Sequence, residues 1–252
     1  MRGHSVRGLM RSRRVQGFPY RDAFRSAERT VLEAAISHAT GLLRADSSLD
    51  LAHCSEVDIT VALEATLNRM LETRPSVVSG FSKAIFQTVV RGAEVCCHDF
   101  SMPEKRPDLT FRSQRPLPNL EHPHQCALFT ECKIVDKTHA IGLYGTNGIS
   151  RFVSGVYAWA VPSALMIAYT RHGRSLATQL TGLLTRRGTE FAVVGDLEID
   201  ADRGRASSLH RRALPHLPRN DEANVSIRHL WFSLTPAKSA PRRRSSPRRS
   251  TT

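Results

Sequence analysis

The residues with the most chemistry in this 252-residue sequence stand in a short apolar run. Residues 126–135 read CALFTECKIV, apolar on both faces of a strand apart from Glu131 and Lys133. Strand side chains alternate, so Glu131 and Lys133 face one way and Thr130, Cys132 and Ile134 the other. A carboxylate and an ammonium so placed are costly unless paired, hydrated or bound to a cation. Asp108 follows Pro107 at the head of the strand-like stretch PDLTFR, where the proline removes one backbone donor and favours an extended or turn start. If the two strands pair, Asp108, Glu131 and Lys133 converge at one sheet edge. Two hard oxygen ligands suit Mg²⁺, with Mn²⁺ as a substitute, because such an ion keeps several waters and binds phosphate oxygens. The ion would polarise a phosphate and acidify an attacking water, which Lys133 would orient. Phosphodiester hydrolysis needs these parts and no further cofactor. The competing reading is a solvated strand face with an ion pair worth little.

Those strands need elements to position them. Phe24 to Leu43 has helical spacing at Phe24, Val31, Ala35, Ala39 and Leu42. Ser55 and Asp58 form a capping box for a second helix, with Ile59, Leu63, Leu67, Met70 and Leu71 on its apolar side and Pro75 beyond its end. Residues 79–91 are a third helical candidate, leading into an apolar run at 93–97. The stretch 113–125 is a loop. Ile149, Phe152, Val153, Val156, Tyr157 and Ala160 predict a helix, ALMIAY at 164–169 a buried strand, and 175–187 another helix. Strands are expected at 190–195 and 225–234, and a polar, Arg-rich loop at 200–223. Helix, three strands, helix, strand predicts an α/β sandwich around a mixed sheet.

Pro107-Asp108, a gap of twenty-two residues, and Glu131-Cys132-Lys133 resemble the motif of the PD-(D/E)XK, restriction-endonuclease-like nuclease superfamily. The resemblance spans about residues 55–170 and includes the order of elements. It implies an α/β restriction-endonuclease-like core and a DNA endonuclease of restriction, repair or mobile-element defence. It also implies that Asp108 and Glu131 hold Mg²⁺, that Cys132 offers its backbone carbonyl, and that Lys133 assists the water. Members also take a carboxylate from the first core helix, for which Glu64 is the candidate. Others use a polar residue on the helix after the motif, which points to Arg151 on the substrate. The alternative is a non-catalytic nucleic-acid-binding or assembly protein on the same fold. A homodimer or a partner subunit supplying recognition stays open.

Charge agrees with a polyanionic partner, DNA before RNA, but sits in the tails. Of 36 basic residues, six lie in 1–21 and six in 236–252, neither stretch holding an acid; 24 against 23 acids remain between. Residues 1–20 are therefore expected to be a flexible basic segment, 21–235 one nuclease-like domain, and 236–252 a disordered basic tail. Five cysteines without a CxxC pair argue for reduced, packed thiols in a cytoplasmic protein rather than zinc, although Cys96-Cys97-His98 invites the thought. The uncharged stretch from Phe152 to Thr170 is long enough to span a bilayer, yet Pro162-Ser163 interrupts it, so no membrane partner is expected. The arginine-rich N-terminus lacks the apolar stretch of a secretory signal, and its overlap with an organellar transit peptide stays open. His210 and His229 are left without a role, since lone histidines are more often packed or on the surface than catalytic.

Overall fold

Seven strands form one open mixed sheet in the order β1-β2-β3-β4-β7-β6-β5. The computed structural model describes residues 21–97, 104–115, 123–212, 214 and 223–234. Helix α1 (Ser26–Ala45) starts where the Glu28 carboxylate takes the Arg25 N–H at 2.7 Å, and it buries Leu32, Ala35, Ile36, Ala39 and Leu43 along one face. Helix α2 (Glu56–Glu72) is closed at its start by the Ser55–Asp58 capping box and buries Ile59, Leu63, Leu67, Met70 and Leu71.

Strands β1 (Val90–Arg91), β2 (Leu109–Phe111) and β3 (Leu128–Val135) run antiparallel to one another in turn. The chain then passes through two short helical turns, α3 (Ile141–Tyr144) and α4 (Ser150–Val153), joined by a π turn at Gly145–Ile149. It returns as β4 (Ser163–Thr170), parallel to β3, with every residue buried. A run with no polar-out alternation is what a strand between two neighbours and two covered faces requires. Helix α5 (Leu176–Arg187), β5 (Val193–Asp200) and β6 (Arg205–His210) precede β7 (Val225–Ser233), which lies parallel to β4 on one side and antiparallel to β6 on the other.

Three expectations are corrected. Residues 79–91 form no helix: Gly80 has φ +83°, and the amides that would propagate one are claimed elsewhere, Gln87 N by Arg112 O at 2.9 Å and Val89 N by Asn68 Oδ1 at 2.8 Å. The helix expected over 149–160 stops at Val153, because Gly155 (φ +70°) and Ala158 (φ +58°) turn the chain; Phe152, Tyr157 and Trp159 are buried by these turns instead. Part of the 200–223 stretch is strand β6, which inserts Ala206, Ser208 and His210 while Arg205 pairs with Glu33 at 3.2 Å. Phe152 to Thr170 is thus a helix end, turns and a sheet strand, and no helix among the described residues is long and apolar enough to cross a membrane. Residues 1–20 and 236–252, His98, and most of the 113–125 and 211–223 loops lie outside the described residues.

Candidate active site

The site lies where β2 and β3 part. Leu109 pairs with Thr130, and past that point the β3 amides have no β2 residue opposite. Two carboxylates take them instead. Asp108 Oδ2 accepts the Cys132 N–H at 2.7 Å, and Glu56 Oε2 accepts the Ile134 N–H at 3.0 Å. Buried amides left unpaired would each cost about 1–3 kcal/mol, so acidic side chains at this fork have a structural reason to exist. Asp108 reaches it from the residue before β2, and Glu56 from the first turn of α2, next to the cap.

Lys133 ties the fork together. Its Nζ stands 3.0 Å from Glu56 Oε1, 3.1 Å from Asp108 Oδ2, 3.1 Å from Glu131 Oε2 and 2.6 Å from the Cys132 carbonyl. Burial alone would pull the ammonium below its usual range, but Glu131, Asp108 and Glu56 together hold it above. Glu131 is fully buried, and both its oxygens accept from Arg151 Nη1, at 3.0 and 2.9 Å, while the Tyr157 hydroxyl donates to Oε1. Burial, reinforced by the Asp108 charge, pushes the Glu131 carboxyl up to about 7, against the opposing pull of Lys133, Arg151 and the Tyr157 hydrogen bond. Three carboxylates face two cations, so the fully ionised cluster has one negative charge in excess. A proton on Glu131 or an added cation would relieve it.

Asp108, Glu131, Lys133, the Cys132 carbonyl and Arg151 therefore come together. Glu64 does not. Its Oε1 accepts the Arg91 N–H at 3.0 Å and fastens edge strand β1. Eight residues along a helix is about 12 Å, and it is Glu56 that lies at the fork. Glu56 and Tyr157 are the site residues the sequence did not disclose. Glu56 looks like an ordinary first-turn acid complementing the helix dipole, and Tyr157 like one more member of an apolar stripe. Arg151 was expected on substrate, and its guanidinium instead lies on Glu131.

His210 and His229 belong to a different construction on the sheet. Trp231 Nε1–H donates to the Tyr144 hydroxyl at 3.3 Å, and that hydroxyl to His229 Nδ1 at 2.8 Å. His229 Nε2–H then donates to Ser208 Oγ at 2.8 Å, Ser208 to His210 Nε2 at 2.7 Å, and His210 Nδ1–H to the Phe191 carbonyl at 2.7 Å. Because the tryptophan can only donate and the carbonyl can only accept, one direction satisfies the whole chain with both imidazoles neutral. It is a buried support for β6 and β7. None of the five cysteines is in a disulfide.

Comparison with family models, curated proteins and solved structures returns no match.

The donor chemistry suits a hard cation: two carboxylates and a backbone carbonyl, with a third carboxylate behind them. The spacing is that of an ammonium complex. Among the described residues no three His, Cys, Asp or Glu side chains group closely enough to hold an ion as they stand. The oxygens lie about 3 Å from Nζ, whereas Mg²⁺ takes its ligands at about 2.0–2.1 Å. Binding an ion requires Lys133 to release oxygens that it now shares.

Proposed function

We propose that this chain is a Mg²⁺-dependent phosphodiester hydrolase acting on nucleic acid, a nuclease of the PD-(D/E)XK type with DNA as the first substrate to test. The observation that carries the reading is the convergence of Asp108, Glu131 and Lys133 at the fork of β2 and β3, with the Cys132 carbonyl among them. Two features support it further. The elements from α2 to β4 follow the order helix, strand, strand, strand, helical turns, strand, with the aspartate before the second strand and the Glu-x-Lys on the third. The cluster's excess negative charge also favours uptake of a cation.

Asp108, Glu131 and the Cys132 carbonyl would hold the ion, with Glu56 beside them. When bound, the ion supplies Lewis-acid polarisation of the phosphate and acidification of water. The chain's own residues do the rest. Asp108 keeps β3 in place through the Cys132 amide, and Tyr157 holds Glu131 in its buried position. Arg151 and Lys133 compensate the developing charge on the phosphate oxygens once they leave the carboxylates. Lys133 also orients the attacking water, and Glu56, 3.0 Å from its Nζ, holds the ammonium in place.

A second reading has an observation of its own. Asp108 and Glu56 cap strand amides, and Glu131 is satisfied by Lys133, Arg151 and Tyr157, as in a structural ion cluster of a non-catalytic nucleic-acid-binding protein. Incubating the full chain with plasmid and single-stranded DNA in Mg²⁺, Mn²⁺ or EDTA separates the two, with Lys133→Ala as control. Metal-dependent cleavage lost in the variant supports the nuclease. DNA binding without cleavage in either metal supports the structural cluster.

A further inference from the structure

Beside the buried Glu131 lies a cleft of about 270 Å³ lined by Glu104, Lys105, Arg106, Arg151, Val156 and Tyr157. We infer that this cleft is a phosphate subsite, in which Lys105 and Arg106 hold a phosphate group of the nucleic-acid strand and Arg151 turns toward it from Glu131. The inference rests on the nuclease reading for its role in turnover, but not for the binding itself.

Three observations converge on it. The first is composition: Lys105, Arg106 and Arg151 line the cleft against Glu104, with Arg106 also paired to Glu94 and Arg151 to Glu131, and its volume falls below the roughly 300–1,000 Å³ of pockets that enclose whole drug-sized ligands. A phosphate with part of one nucleotide suits that space, and an extended strand does not. The second is construction. The Lys105 backbone is pinned by paired bonds with Val95 at 2.8 and 3.0 Å, and the Pro107 carbonyl takes the Gly92 amide at 3.2 Å. The cations are thus carried on backbone tied to the neighbouring chain. Next to Lys105, Glu104 has φ +71°, a left-handed conformation that side-chain-bearing residues seldom adopt and that recurs at ligand clamps. The third is the shared wall. Arg151 and Tyr157 line the cleft and also hold Glu131 from the other side, so the cleft and the fork are two sides of one partition.

Arg151 has five N–H donors in a planar fork. Its Nη1 engages Glu131, and its side chain is 40% exposed. An anion seated against Lys105 and Arg106 competes with Glu131 for this guanidinium. Arrival of the strand then loosens Arg151 from the carboxylate that the fork needs for a cation.

The test uses the full chain and inorganic phosphate as probe, titrated in EDTA and followed by amide NMR shifts or calorimetry. Wild type should bind, and Lys105→Ala and Arg106→Ala should each weaken binding about tenfold, as expected for loss of one charge-assisted hydrogen bond. In cleavage assays both variants should raise KM far more than they lower kcat. Equal phosphate affinity in wild type and both variants overturns the subsite, as does a fall in kcat at constant KM. Failure of the nuclease reading has a different signature: phosphate binding lost in the variants while no protein form cleaves with Mg²⁺ or Mn²⁺.

Discussion

Asp108 does the work of a missing strand: its Oδ2 takes the Cys132 amide at 2.7 Å just where β2 stops facing β3. The same oxygen lies 3.1 Å from Lys133 Nζ, so one carboxylate serves both the sheet and the candidate site. The two duties separate by substitution. Asp108→Asn keeps an oxygen for the amide and loses the charge, so it should fold with a small change in Tm and abolish metal-dependent cleavage. Asp108→Ala leaves the amide unpaired and should cost a further 1–3 kcal/mol or so. Chemical denaturation of the two variants checks this, and equal stability would remove the strand-capping role.

Under the proposed function, Glu131 should set the pH dependence of cleavage. Its carboxyl is pushed up to about 7, first by burial, and only the ionised form is a good ligand for a hard cation. Cleavage should therefore fall as pH drops below about 7 and level off above it. The sign for stability is opposite. A carboxyl raised from 4.5 to about 7 on folding favours the folded state below 4.5, and that contribution is lost as pH rises through 7. Glu131→Gln should abolish cleavage and remove this contribution to the stability profile between these limits. A wild-type rate with no inflection near neutrality argues against Glu131 as a ligand.

Strand periodicity marks Glu131 and Lys133 in the sequence, and the Pro107-Asp108 pair marks Asp108. Glu131 and Lys133 interrupt an otherwise apolar run at an interval of two, and such residues in a central strand must be paired, hydrated or bound to a cation. Glu56 was not legible, because an acid after a capping serine has a sufficient local explanation in the helix dipole. Its reach to Ile134 depends on the angle at which α2 meets the sheet, which no local pattern records. Strand β6 was missed for a related reason. Its inward positions alternate as they should, but they carry Ala206, Ser208 and His210, small or polar residues whose partners come from β7 and the turn before β5. The 79–91 segment misled in the other direction. Phe81, Phe86 and Val89 are buried, but their backbone is held by tertiary bonds rather than by a helix.

Lys133 should prove to be a competitor of the cation as well as its helper. With Nζ bonded among Glu56, Asp108, Glu131 and the Cys132 carbonyl, removal leaves three carboxylates facing one another. Lys133→Ala should then be less stable in EDTA, abolish cleavage, and gain more Tm from millimolar Mg²⁺ than wild type does. Thermal melts with and without Mg²⁺ decide it, and an equal Mg²⁺ shift in both proteins would refute the competition.

The basic tails make a separate prediction. Residues 236–252 carry six cations and no acid. Deleting them should weaken DNA binding and reduce the slope of log affinity against log salt by up to about 5, since each neutralised phosphate contributes about 0.9. An unchanged slope in a filter-binding series would assign the affinity to the rest of the chain.

The histidine chain predicts acid sensitivity away from the candidate site. Burial lowers His210 to about 4, against a small opposing effect of its bond to Phe191 O, and burial with repulsion from His210 and Arg228 takes His229 well below its usual range. A proton on either ring removes the acceptor nitrogen that Ser208 or Tyr144 uses, so the chain cannot be satisfied with an imidazolium in it. In the unfolded chain both rings protonate near 6.5. The unfolded state thus binds more protons between about 6.5 and 4, and stability falls as pH drops through that window. For His210 alone the effect is on the order of 3 kcal/mol, from about 1.4 kcal/mol per pH unit. Glu131 contributes the opposite sign over much of this window, so the test is made in a Glu131→Gln background, where melting temperatures should decline across the range. His210→Gln should be less stable at pH 7, because Phe191 O and Ser208 lose an aligned partner, and should show a shallower decline on acidification. Opening should begin at β5 and β6, the strands nearest the sheet edge, so amide exchange there should accelerate before exchange in β3 and β4. Exchange that rises uniformly over all seven strands would show that acid acts somewhere other than this chain.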